Sequence, residues 1–120
     1  MFELVSTAAG LSRWLDAAEL DTEVGGGFRF GMGESVAVGS VLALTAPQHI
    51  SFGWDWEDQP LGISSVVAFD LIDHGERTHI TLRHVGFPSV AQRRLHEDLW
   101  SHWFARLISL TKELPTAQSE

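Results

Sequence analysis

The sequence contains no cysteine, so disulfides, zinc–thiolate centres and thiol nucleophiles are excluded from its chemistry. No apolar run approaches the roughly 18 residues that a membrane span requires. The opening stretch, MFELVSTAAGLSRWL, lacks the basic-then-apolar layout of a secretory leader. Cationic side chains are scarce: 8 Lys and Arg stand against 16 Asp and Glu, for a formal net charge of −8. Nucleic acid and anionic lipid are bound through basic surfaces. The nearest approach to one, Arg83 with Arg93 and Arg94, is diluted by Glu97 and Asp98. Neither nucleic acid nor a membrane is therefore an expected partner, and the cytoplasm is the expected location. Repeats, low-complexity tracts and internal linkers are also missing. For 120 residues this implies one domain over 1–120, with a frayed tail at 115–120.

Several catalytic signatures are missing as well. Position 30 is Phe, which breaks a G-x-G-x-x-G reading of the run Gly25-Gly26-Gly27, and no G-K-[ST] is present. Those glycines are expected to mark a bulged or sharply bent strand. No serine lies in G-x-S-x-G. Metal ligation is not expected either. His74, His79 and His84 are five apart, so neighbours in that series alternate faces of a strand, and His96 and His102 miss the i, i+4 spacing of a helix. No cofactor is implied. Asp55, Glu57 and Asp58 read as a solvated turn, and Asp70 lies in an apolar strand.

What is present is a clear order of elements. Thr7 can cap a first helix in which Leu11, Trp14 and Leu15 recur at helical spacing, with residues 16–20 continuing it or fraying. Five strand-like runs follow, over 23–30, 35–45, 49–56, 63–72 and 77–85. The third is the plainest: Ile50, Phe52, Trp54 and Trp56 alternate with His49, Ser51, Gly53 and Asp55. Turn signals at 31–33, 46–48, 58–60 and 73–75 separate the runs, implying an antiparallel meander. The last element is a long helix opened by Pro88 and the capping box Ser89…Gln92 and closed by Pro115. Its apolar stripe is Leu95, Leu99, Trp103, Leu107, Leu110 and Leu114, widened by Trp100, Phe104 and Ile108. The expected class is α+β, an antiparallel sheet curled round a long C-terminal helix, with the helix stripe and the aromatic sheet face burying each other.

Four motifs in this order resemble a known family. Residues 7–14, TAAGLSRW, resemble a "T-D-P-x-x-L-x-x-W" helix, and residues 25–30, GGGFRF, a "G-G-x-F-x-F" strand. Residues 39–47 with 49–54 resemble "G-x-V-x-x-x-x-P-x-x-x-x-F-x-W", and residues 78–87, THITLRHVGF, resemble "T-x-x-x-L-x-H-x-G-F". The chain is thereby similar, over about residues 2–114, to the START/Bet v 1-like (SRPBCC) superfamily, and within it to the branch named after the activator of heat shock protein 90 ATPase. The resemblance implies a helix-grip fold. Two departures bear on function. Family members begin with a further strand that borders the last one, whereas this chain opens at Met1-Phe2-Glu3, within the first helix. Strand 77–85 is then expected to be a naked edge, open to pairing in a homodimer, unless the true start lies upstream. Leu99 stands where the family has Gly, so it is expected to push the helix outward or to fill ligand space.

The resemblance also implies a pocket between sheet and helix for a small apolar or amphipathic ligand. The candidate lining is Phe28, Phe30, Phe52, Trp54, Trp56, Phe69, Leu82, Phe87, Trp100 and Trp103, with His84 and His96 near one mouth as polar anchors or proton carriers. The alternative is that the aromatics fill the core and the two histidines are simply hydrogen-bonded. His49, His74, His79 and His102 are expected on solvated faces. The leading reading is a ligand-binding domain without catalytic residues. A protein-interaction or chaperone-linked module and a cyclase- or aromatase-like enzyme are the alternatives.

Overall fold

The computed structural model of the chain describes residues 2–57, 65–74, 77–87, 89–111 and 117–119. Two one-turn helices, α1 (Glu3–Ser6) and α2 (Ala8–Leu11), precede a meander of β1 (Ala17–Leu20), β2 (Gly27–Met32), β3 (Ser35–Thr45), β4 (His49–Trp56), β5 (Ser65–His74) and β6 (Arg77–Val85). Helix α3 (Val90–Thr111) follows, then a short strand β7 (Ala117–Ser119). Strand order in the sheet equals chain order. All pairings are antiparallel except β6 with β7, which is parallel.

The first helix is shorter than its periodicity suggests, and its continuation is a strand. Thr7 does cap α2, accepting from the Gly10 N–H at 2.9 Å. The chain then turns at Asp16, whose N–H donates to Gly31 O (3.0 Å) and whose carboxylate accepts from Gly33 N–H (2.8 Å). Residues 17–20 thereby become β1, paired with 28–31 of β2. A partner for the β2 edge is a long-range need that no local pattern in 16–20 announces.

The glycine run also resolves differently. Gly25 has φ +85° in a tight turn, and the turn locks onto β3 through Gly25 N–H to Val41 O and Val41 N–H to Gly26 O. The bulge lies opposite, in β3 between Val41 and Ala43. Asp55 belongs to β4, not to a loop, and Glu57 is paired with Arg29 at 2.8 Å. That hydrogen bond holds the Glu57 carboxyl below the usual range.

The inner sheet face buries Phe28, Phe30, Ile50, Phe52, Trp54, Val67, Phe69, Leu71 and Ile80. Helix α3 covers it with His96, Trp100, Trp103 and Leu107. Trp100, Trp103 and Leu107 belong to the stripe read in the sequence, which departs from the structure at its first member. Leu95 is 63% exposed, because the turn that faces the sheet begins at His96. Ser89 accepts from Gln92 N–H at 3.2 Å, so the cap stands as expected. Leu99 is half-buried and packs against the core. The tail is not wholly frayed, since β7 pairs with Thr78, His79 and Ile80. The expected naked edge is thus shortened to 81–85. The turns expected at 58–60 and at Gly75, together with Pro88, Leu114 and Pro115, lie outside the described residues.

Close ring packing depends on one glycine. Gly39 is aligned between Phe28 on β2 and Trp54 on β4, and those rings meet at 5.4 Å between centroids. A Cβ at Gly39 would lie 1.8 Å from Gly53 O and 2.9 Å from the Phe28 ring. Gly39→Ala is therefore expected to lower stability by about 3 kcal/mol or more. Chemical denaturation followed by circular dichroism measures this, and a loss below about 0.5 kcal/mol would contradict the packing described.

Candidate functional site

Strand β6 and helix α3 bring together the two histidines singled out in the sequence. His84 projects inward beside Ile80 and Leu82, and His96 lies on the buried face of α3. Their ring centroids are 5.2 Å apart. Each ring accepts from an indole of the other layer. Trp100 of α3 donates Nε1–H to His84 Nδ1 at 3.0 Å, and Trp56 of β4 donates Nε1–H to His96 Nε2 at 3.0 Å. A nitrogen that accepts carries no proton, so the geometry fixes both tautomers. His96 Nδ1–H donates to Gln92 O at 2.8 Å. His84 Nε2–H donates to Ser65 Oγ at 3.1 Å, and Ser65 in turn donates to Trp54 O. Burial, and secondarily repulsion from His96, lowers the His84 pKa to about 3.

Beside this network runs a groove of about 410 Å³ between α3 and β6. Five of the residues proposed from the sequence line it: Leu82, His84, Phe87, His96 and Trp100. Phe87 stacks obliquely on both imidazoles, 4.5 Å from His84 and 4.4 Å from His96. Trp56 is half-buried behind His96, with centroids 5.9 Å apart. The other six, Phe28, Phe30, Phe52, Trp54, Phe69 and Trp103, are buried in the core cluster and do not line the groove. Phe28, Phe30, Phe52 and Trp54 pack on one another at 4.4–5.9 Å.

Sequence reasoning passed over Thr81, Arg93, Glu97, Ser101 and Phe104, all of which line the groove. The signal was available: 93, 97, 101 and 104 follow one line of i+4 and i+3 steps along the flank of α3 next to His96 and Trp100. Arg93 and Glu97 face each other at 3.7 Å and are mostly exposed, so they form a polar rim of little net charge. Trp54 is 3% exposed, and among the described residues its indole Nε1 is the buried side-chain donor without a partner. Leaving such a group unsatisfied costs about 1–3 kcal/mol.

On the outer face, His49 Nδ1 meets Asp70 Oδ1 at 2.6 Å, and Arg83 lies 3.8 Å from Asp70. Asp70 thus points outward from its apolar strand and is partly exposed. His49 is likewise partly exposed and His102 exposed, whereas His79 is half-buried. Among the described residues, no group of three or more His, Cys, Asp or Glu is placed to hold a metal ion, and no helix is long and apolar enough to cross a membrane.

A curled antiparallel sheet closed by a C-terminal helix, with an aromatic-walled groove at their open side, defines a helix-grip domain. Within that class, the family described as activator of Hsp90 ATPase homolog 1-like protein matches residues 1–112, and the chain belongs to that family. Solved structures share the fold. PFC0360w, an HSP90 activator from Plasmodium falciparum, is 20% identical with a TM-score of 0.71, over 91% of this chain and 84% of its own. Protein MLL2253 from Mesorhizobium loti is 24% identical with a TM-score of 0.73, over 88% and 81%. The Aha1 dimer from Colwellia psychrerythraea is 17% identical with a TM-score of 0.69, over 95% and 84%. At these identities the likeness is one of fold. No curated protein matches the sequence.

The low pKa of His84 fixes a sign for the pH dependence of stability. Unfolded, His84 titrates near 6.5; folded, at about 3. Between those values the unfolded chain binds the extra proton, so this contribution is fully present above pH ~6.5 and is lost as pH falls toward 3. The slope is at most about 1.4 kcal/mol per pH unit. In His84→Asn, stability between pH 6.5 and 4.5 is expected to fall less steeply than in wild type, by up to one proton. Denaturant titrations at each pH measure this, and equal slopes would contradict the neutral, buried imidazole.

Proposed function

We propose that this domain binds a small amphipathic molecule with an apolar, aromatic body in the groove between α3 and β6. The observation that carries this reading is the lining. Leu82, Phe87, Trp100 and Phe104 supply apolar wall, the two imidazoles present ring surface, and Arg93, Glu97 and Ser101 gather on one flank. A concave apolar surface with a few convergent polar groups is the usual form of a small-molecule site. The ligand then lies beside the filled core, not within it. The histidines support binding over a cyclase- or aromatase-like reaction. Their lone pairs are already engaged by Trp100 and Trp56, so proton transfer would first require breaking those bonds. The cysteine-free, acidic sequence supports a cytoplasmic setting.

A second reading is favoured by a separate observation. Beyond the stretch paired with β7, residues 81–85 of β6 have no further strand beside them among the described residues. Such an edge invites a strand from another chain. The Colwellia psychrerythraea relative is an Aha1 dimer, and the Plasmodium falciparum one an HSP90 activator. In this reading the edge pairs with a second copy of the chain or serves a chaperone-linked partner.

Titration with anilinonaphthalene sulfonate, read by energy transfer from tryptophan, tests the first reading. Saturable transfer is expected in the folded protein. Phe104→Ala should weaken it about tenfold while circular dichroism stays unchanged. Absence of saturable transfer would contradict a ligand groove. Sedimentation of the same sample tests the second: a monomer up to about 100 μM, weaker than the affinity of a stable specific dimer, would contradict edge pairing.

A further inference from the structure

Among the described residues, Trp54 holds the one indole N–H that is fully buried without a hydrogen bond. Trp14 donates to Leu4 O, Trp56 to His96 and Trp100 to His84, whereas Trp54 Nε1 is buried without a partner among the described residues. Its ring forms the second layer behind the groove. It packs at 5.3 Å on Trp100 and 5.8 Å on His84, both of which line the groove, while Trp54 itself does not. The indole of Trp100 makes one hydrogen bond, to His84 Nδ1. If that indole swings aside, two groups become available together: the donor on Trp54 and the acceptor His84 Nδ1. The volume vacated is that of a fused aromatic ring system.

We infer that the groove extends, on binding, into a subsite formed by Trp54 and His84 behind Trp100, and that this subsite takes a neutral aromatic hydroxyl of the phenol or naphthol type. Such a hydroxyl accepts from Trp54 Nε1–H and donates to His84 Nδ1, while its ring replaces the displaced indole. The Trp100–His84 hydrogen bond is lost and two are made, the buried orphan donor on Trp54 is satisfied, and the displaced Trp100 N–H turns to water in the open groove. His84 remains an acceptor because burial keeps it unprotonated throughout the neutral range. A phenolate is disfavoured, since its charge would be buried opposite an imidazole lone pair. The inference rests on the groove being a ligand site, as proposed above.

The test compares 2-naphthol, 2-methoxynaphthalene and naphthalene by isothermal titration calorimetry, with the indole N–H signals followed by proton–nitrogen NMR. The expected result is that 2-naphthol binds roughly tenfold more tightly than naphthalene, with 2-methoxynaphthalene, which accepts but cannot donate, between them. The Trp54 indole resonance moves downfield with 2-naphthol. In Trp54→Phe the preference for 2-naphthol over naphthalene falls to about twofold or less. If this variant does not fold, the wild-type preference and the resonance shift decide alone. Equal binding of 2-naphthol and naphthalene with the Trp54 signal unmoved would overturn the subsite and leave the groove standing. Failure of all three to bind would remove the groove reading, and the subsite with it.

Discussion

The structure depends on a reciprocal exchange of hydrogen bonds between helix and sheet. The helix gives an indole proton from Trp100 to a histidine of the sheet, and the sheet gives one from Trp56 to a histidine of the helix. Each histidine then hands its own proton onward, His84 to Ser65 and His96 to Gln92. Four aromatic side chains are thereby buried or half-buried with their polar atoms satisfied and without charge. Hydrophobic contact alone is not directional. These bonds are, and they fix the rotation of α3 over the sheet. The exposure of Leu95 and the burial of His96 are two views of that rotation.

The position of the groove follows from the same constraint. With Trp100 and His96 held against the sheet, the aromatic core is closed beneath them, and the open space is displaced to the flank where α3 overhangs β6. The side chains on that flank, Arg93, Glu97, Ser101 and Phe104, become the outer wall. The floor is made of neutral ring faces, so any charge preference has to come from the rim. The network is also incomplete at one point, Trp54, whose buried indole N–H has no hydrogen-bond partner among the described residues.

Much of the fold was legible from local pattern. The strict alternation of 49–56 gave β4 and its buried face, Ser89 and Gln92 gave the start of α3, and Thr7 gave the cap of α2. Residues 17–20 were not legible, because their strand state is decided by the distant edge of β2 and by Asp16 bonding to Gly33. The helix stripe was read correctly from Leu99 onward, and it failed at its first member, Leu95, whose place on the buried face is taken by His96. A histidine looks polar to any pattern, and only its two partners, distant or backbone, make burial at His96 tolerable. Of the candidate site, the pairing of His84 with His96 and the aromatic wall were visible as residue types on one face. The division between core and groove was not, since ring–ring packing of Phe28, Phe30, Phe52 and Trp54 is a three-dimensional fact that depends on Gly39 having no side chain.

The helix–sheet network requires the two imidazoles to be neutral and locked in opposite tautomers. Long-range proton–nitrogen NMR of the histidine rings reads this directly at neutral pH. The result predicted is a protonated Nε2 and bare Nδ1 in His84, with a protonated Nδ1 and bare Nε2 in His96, and two indole N–H protons protected from exchange at Trp56 and Trp100. A doubly protonated ring at either position, or exchange between tautomers at both, would contradict the network on which the fold of α3 and the floor of the groove depend.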